Sequence, residues 1–258
     1  MHAPIRAKIY TRDERGELEG LARAAKVEHW LRQIKSLLRP VTCLIGSAVI
    51  GMSPPASAVS GEPLLLTDPT APLEQAWTHQ RFRNATDYKT VKLDGVAAIR
   101  AIARDSASGL YREARYRVAD HPWLEWTWRV NRLQRTADIR VAEREDFAAA
   151  IFLIFGRPDM LNPDVPTLVY VWTSDQLPEG AVVDSPHLPG VVRSIVVRSG
   201  ESRNGEWIRE HRNVVDDFRR AFMKEPPASV EVIAIFTDND QTGEPVESYY
   251  GTIRALPE

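Results

Sequence analysis

The chain has 258 residues, 43% hydrophobic and 26% charged, with 33 basic and 35 acidic side chains. That balance excludes a disordered or fibrous polypeptide and places it among ordinary globular proteins.

The first segment with a recognisable pattern is the uncharged, largely apolar stretch at residues 40–52. It is too short to cross a bilayer, which takes about 20 residues. Arg32, Lys35 and Arg39 precede it, and Ala56-Ser57-Ala58 follows it. Basic flank, short apolar run and Ala-x-Ala predict a secretory signal peptide over residues 1–58, cleaved after Ala58, and hence a periplasmic or secreted bacterial protein. The n-region is extended, residues 1–30 being mixed in charge, and a translation start near Val27 would shorten it. An uncleaved N-terminal anchor is the alternative. Nine Lys/Arg and five Asp/Glu leave with the signal, so 24 basic and 30 acidic groups remain, a net charge of −6. An acidic chain is a poor nucleic-acid binder and lacks the basic character that adheres to anionic membranes. Cys43, the single cysteine, also leaves, which excludes disulfides, a thiol nucleophile and a cysteine zinc site.

Residues 59–76 read as a Pro-rich leader or linker without period, and residues 77–258 as one domain, long enough to bury roughly 70% of its unfolded surface. Residues 90–93 and 96–103 flank Asp94-Gly95, a hairpin dipeptide. Residues 107–110 read as a turn or bulge, and residues 111–118 alternate imperfectly. Residues 123–130 alternate clearly, with Leu124, Trp126, Trp128 and Val130 on one face and Trp123, Glu125, Thr127 and Arg129 on the other. Residues 147–155 form an apolar run that predicts a strand buried on both faces. Further strands follow at 168–173, 191–198, 230–237 and 248–255. One short amphipathic helix is expected near 213–224, capped by Asn213 and ended by Pro226-Pro227. About nine strands with no alternating helices predict an all-β antiparallel sandwich or jelly roll.

The order of motifs carries a resemblance. It runs through Ser106-Ala-Ser-Gly-Leu110, Pro122-Trp-Leu-Glu-Trp-Thr-Trp-Arg129, Arg144-Glu-Asp-Phe147, Phe155-Gly156 and Leu168-Val-Tyr-Val-Trp172. Ser199-Gly200, Trp207, Arg212-Asn213-Val214, Asp217-Phe218, Ile233-Ala-Ile-Phe-Thr-Asp-Asn-Asp240 and Tyr250-Gly251 complete it. Over residues 77–256 the chain resembles the DUF3047 family of secreted bacterial proteins. The resemblance implies an exported all-β domain and brings no catalytic residues. Members often carry Arg in the strand after the acidic pair, where this chain has Ala150, and Phe-Gly where it has Phe222-Met223.

Three groups of side chains are candidate sites. Asp238, Asp240 and Thr242 alternate along a loop ending in Gly243, the oxygen spacing of a calcium loop, although Tyr249 occupies the twelfth position where such loops carry Glu. The competing reading is a polar hairpin loop. Trp123, Glu125 and Arg129 share a strand face, Glu125 and Arg129 roughly 13 Å apart, and suit a sugar through ring stacking and charge-assisted hydrogen bonds. Their competing reading is a wet face of ion pairs. Glu143, Glu145 and Asp146, with Glu125, are candidate catalytic carboxylates for glycoside cleavage, Glu143 and Glu145 on one face of an extended strand or else within a loop. His79, His121, His187 and His211 show no metal-ligand spacing, and Asp216 and Asp217 are explained by the helix dipole.

Export, β architecture and six tryptophans after residue 58 favour a non-catalytic module binding an envelope glycan. A polysaccharide hydrolase or lyase using paired carboxylates and a structural accessory protein of the envelope are the alternatives.

Overall fold

The computed structural model describes residues 61–156, 165–174 and 176–258. The expected signal segment lies outside these residues. In chain order the elements begin with β1 (Leu64–Thr67), α1 (Leu73–Ala76), β2 (Thr78–Arg83), β3 (Asp87–Leu93), β4 (Val96–Ala103), β5 (Ala107–Arg117) and β6 (Trp123–Arg132). They continue with a single 3₁₀ turn (Ala142–Arg144), β7 (Ala149–Phe155), β8 (Thr167–Thr173), β9 (Val182–Asp184) and β10 (Val192–Ser199). β11 (Ile208–Asn213), α2 (Val214–Phe222), β12 (Ser229–Phe236) and β13 (Val246–Leu256) complete them.

The strands form two stacked sheets. Sheet A has the order β11-β6-β13-β4-β3, with β1 added beside β13. Sheet B has the order β2-β5-β12-β7-β8-β10-β9. The predicted sandwich is therefore present, with one departure from antiparallel pairing: β10 lies parallel to β8. The expected leader is also structured in part. Leu64, Leu65 and Thr67 pair with β13, Leu66 and Thr67 are buried, and Thr67 donates to the Gly251 carbonyl. The short length of β1 and the prolines around it leave no period to read.

Alternation in β6 sets the inner core. Leu124, Trp126, Trp128 and Val130 are all within 1% of full burial. Trp126 stacks on Tyr170 of β8 at 5.1 Å and Trp128 lies 5.8 Å from Trp172, so these large rings join the two sheets. Each such aromatic removes some 150–250 Å² from water, which makes this contact a dominant source of cohesion.

The helix α2 begins as the sequence predicts, with the Asn213 side chain accepting from the Asp216 N–H at 3.0 Å. It stops at Phe222, before the paired prolines, because Met223 adopts the left-handed conformation (φ 55°). Asp217 does more than meet the helix dipole. It accepts from Nε and Nη2 of Arg212 and from the Tyr170 hydroxyl, and so fastens the helix to both sheets. Among the described residues no helix is long and apolar enough to cross a membrane.

Candidate acidic pocket on sheet B

Sheet B is apolar on both faces, and this positions the site. In β7, Ile151, Leu153 and Phe155 enter the core between the sheets, whereas Ala150, Phe152 and Ile154 enter a second apolar layer on the far side. Phe236 of β12 joins that second layer, as do Phe147 and, from β2, Phe82. Chain segments from either end of the strands partly cover it and leave an open pocket of about 120 Å³. Its walls include Phe82, Phe147, Phe152 and Phe236, with Leu188 and Val192. Phe236 lies 5.9 Å from Phe82, 6.2 Å from Phe147 and 5.9 Å from Phe152.

Gly109 makes the Phe236 position available. Of the expected turn or bulge at residues 107–110, the turn is absent: they start β5, and the β2–β5 register is irregular opposite Ala107 and Ser108. Gly109 pairs with Phe236, and a Cβ there would stand 2.5 Å from the Phe236 ring.

Polar groups converge on the same pocket: Arg83, Glu145, Ser185, His187, Asp238, Asp240 and Gln241. Glu145 Oε1 accepts from the Ser185 hydroxyl at 3.1 Å, and Glu145 Oε2 lies 3.2 Å from His187 Nε2. Burial pushes the Glu145 carboxyl up to about 8, against the Ser185 hydrogen bond, which lowers it, and with a smaller upward push from Asp146. Ser185 is not arranged as a nucleophile. Its hydroxyl hydrogen goes to a carboxylate, its oxygen accepts from the His187 and Leu188 amides, and His187 touches the carboxylate instead of the serine. The other serine beside a histidine, Ser108 with His79 at 2.9 Å, is fully buried.

The fold unites two candidate groups that the sequence presents separately. Asp146 precedes β7 and Asp238 follows β12, and these strands are neighbours, so carboxylate oxygens of Asp146, Asp238 and Asp240 lie within 4.8 Å of one another. Asp146 accepts from the amides of Gln241 and Thr242 and from the Thr242 hydroxyl. Asp238 accepts from the Phe147 N–H at 2.6 Å. Burial, with Asp146 and Asp240 alongside, raises the Asp238 carboxyl well above its ordinary value. The geometry differs from the calcium-loop expectation: Asp146 joins Asp238 and Asp240, and Thr242 donates its hydroxyl to Asp146. Three clustered oxygens are a donor set a hard cation accepts.

The remaining candidates lie elsewhere. Trp123, Glu125 and Arg129 do share the outer face of sheet A. There Trp123 stacks on His211 at 4.6 Å, Glu125 pairs with Arg209 at 2.7 Å and Arg254 at 3.9 Å, and Arg129 pairs with Asp94 at 2.6 Å. The ion pairs expected of a wet face are thus present on the face that also carries Trp123. Glu143 is exposed in the 3₁₀ turn, so it does not share a strand face with Glu145. Of the six tryptophans after residue 58, Trp126, Trp128 and Trp172 fill the core and Trp77 is buried, so their number does not signal a binding surface. The sequence missed Phe82, Arg83, Ser185, His187 and Phe236 as site residues. Only the unbroken apolar run of β7 signalled a second buried layer.

These features define a class: a two-sheet β-sandwich with an aromatic, acidic pocket on one sheet. The chain belongs to the DUF3047 family, whose description is "Protein of unknown function (DUF3047)", which it matches over residues 75–254. No curated protein matches its sequence. Among solved structures it is similar to the family 11 carbohydrate-binding module from Clostridium thermocellum in complex with a β-1,3-1,4-mixed-linked tetrasaccharide. That match has 10% identity and a TM-score of 0.41, covering 76% of this chain and 95% of that one. A second structure of that module, from a cellulosomal cellulase of the same organism, gives 10% identity and 0.39, covering 70% and 88%. The family 11 xylanase from Neocallimastix patriciarum gives 10% identity and 0.30, covering 70% and 88%.

Proposed function

We propose that the protein is an exported, non-catalytic binding module that seats the end of an envelope glycan in the sheet B pocket. The observation that carries this reading is the convergence of four phenylalanine rings with the carboxyl, hydroxyl and imidazole groups of Glu145, Ser185 and His187. A sugar ring needs both kinds of surface, an apolar wall for its C–H face and hydrogen-bonding partners for its hydroxyls. The size sets the mode of binding. A cavity of roughly 150 Å³ accepts a benzene-sized ring, so an open pocket of about 120 Å³ takes only part of one sugar ring, at a chain end. The test is a glycan array on the full chain, run beside a reducing-sugar assay. Binding that is lost in Glu145→Ala, with no sugar released, is the expected result. Binding to no glycan contradicts it.

A hydrolase or lyase is the second reading, and Glu145 favours it. A carboxyl raised to about 8 holds its proton at neutral pH, as a general acid must, and Asp238 and Asp240 line the same pocket. Release of reducing ends that disappears in Glu145→Gln would establish this reading over the first.

A further inference from the structure

We infer that the pocket takes the short acyl substituent of a sugar unit, an N- or O-acetyl group, and leaves the sugar ring at its rim. This inference rests on the glycan reading and names the chemical class of the ligand. Three features of the pocket carry it together. The first is the interior. Ala107, Phe147, Phe152, Val192 and Phe236 line it, and each is 7–8% exposed. Phe147 meets Phe152 and Phe236 edge to face, and Phe236 lies tilted against Phe152, so the rings close on one another and form an apolar wall. Such a wall suits alkyl carbon. The second is the engagement of the acidic groups. Both oxygens of Glu145 are occupied, by Ser185 and His187, and Asp238 accepts from the Phe147 N–H, so these two carboxyls present no free charge to a ligand. Burial acts in the same sense and favours the neutral form of each. The third is the rim, where the half-buried Arg83 and Gln241 join the lining. Arg83 Nη2 pairs with Asp105 at 2.7 Å. A guanidinium carries five N–H groups, so Arg83 keeps donors for a carbonyl oxygen.

Volume sets what enters. A benzene ring is accepted by a cavity of roughly 150 Å³, and an acetyl group has about half as many heavy atoms. A pocket of about 120 Å³ therefore admits an acetyl group and excludes a whole pyranose. With the methyl among the phenylalanines, the carbonyl comes toward the rim, where Arg83 supplies the donor. An ammonium group entering in place of the acyl group loses its hydration and gains no free counter-charge in the interior. A bare hydroxyl gains little from the apolar wall.

The experiment is an NMR titration of the full chain, read at the sheet B signals. Its probes are N-acetylglucosamine, O-acetylglucose, N-hexanoylglucosamine, glucosamine, glucose and, as a probe without a sugar, N-methylacetamide. An acetyl sugar is expected to bind roughly tenfold tighter than glucose, glucosamine not measurably, and the longer hexanoyl chain more weakly than the acetyl. Whichever acetyl sugar binds tighter identifies the amide or the ester as the source of the group, and either result supports the inference. Phe82→Ala, on the edge strand β2, widens the pocket and is expected to tighten the binding of N-hexanoylglucosamine several-fold, a gain that misfolding cannot produce. Arg83→Ala is expected to weaken both acetyl sugars several-fold. Glucose or glucosamine binding as tightly as the acetyl sugars overturns the acyl inference and leaves the glycan reading standing. N-methylacetamide binding while no sugar binds removes the glycan reading and retains the acyl pocket. Binding of no probe overturns both.

Discussion

The Nε2 of His187 stands 3.2 Å from Oε2 of Glu145, and both side chains are about nine-tenths buried. The two residues come from segments 42 positions apart, and their meeting closes one wall of the pocket. At neutral pH a carboxyl raised to about 8 is mostly protonated, so the pair sits in the pocket with little net charge.

This has a consequence for stability against pH. Glu145 rises from 4.5 to about 8 on folding, so the folded state holds its proton more tightly than the unfolded chain. The contribution of Glu145 is fully present below about pH 4.5 and is lost as pH rises through about 8. Glu145→Gln cannot ionise. Its unfolding free energy relative to the parent is expected to improve between pH 5 and pH 9, on the order of a few kcal/mol. Urea unfolding at both pH values measures this, and a parent-to-variant difference independent of pH would contradict it.

Gly109→Ala tests the pocket from beneath. The added Cβ drives into the Phe236 ring, and overpacking of this kind costs roughly 1–3 kcal/mol. Thermal unfolding measures the loss. The same variant should bind the ligand more weakly than its stability loss explains, because Phe236 forms part of the wall.

Asp217→Ala removes a buried carboxylate held by Arg212 and Tyr170, and leaves the guanidinium and the hydroxyl without their partner. A loss of about 3–5 kcal/mol is expected. Asp216→Ala, one residue away and exposed, should change stability by less than about 0.5 kcal/mol. Chemical denaturation of the two variants side by side separates the buried role from a helix-dipole effect common to both.

Met223→Gly is expected to stabilise the protein by about 1 kcal/mol. Met223 ends α2 in the left-handed region and is 85% exposed, so its side chain adds little packing to offset the backbone cost. A melting temperature at or below that of the parent would contradict this.

The sandwich was legible where one physical signal dominated. In β6, strict alternation with tryptophans on one side made the buried face plain, and in β7 an unbroken apolar run announced burial on both faces. Asp94-Gly95 and Asn213 are local devices that act through their own backbone, and the structure uses them as expected. Strands β2 and β11 escaped notice because both are largely polar edge strands: Thr78–Arg83 has no buried residue, and the inward face of Ile208–Asn213 includes the charged Glu210 beside Ile208. The parallel pairing of β8 and β10 depends on the path of the chain between them, and no local pattern encodes it. The site was half legible. Glu145, Asp146, Asp238 and Asp240 each stood out as residue types, but their union depends on β7 and β12 being neighbours. His187 carried no spacing signal, since a long-range fold contact brings it to Glu145. Trp77, Trp126, Trp128 and Trp172 are buried, because size and apolarity suit a core as well as a sugar, whereas Trp123 stays on the outer face of sheet A.

The most direct test of the account is where a bound ligand perturbs the protein. Chemical-shift mapping with the tightest glycan from the array should move the signals of Glu145, Phe152, His187 and Phe236 on sheet B. Shifts confined to Trp123, His211 and the outer face of sheet A, with the sheet B signals unmoved, would contradict it.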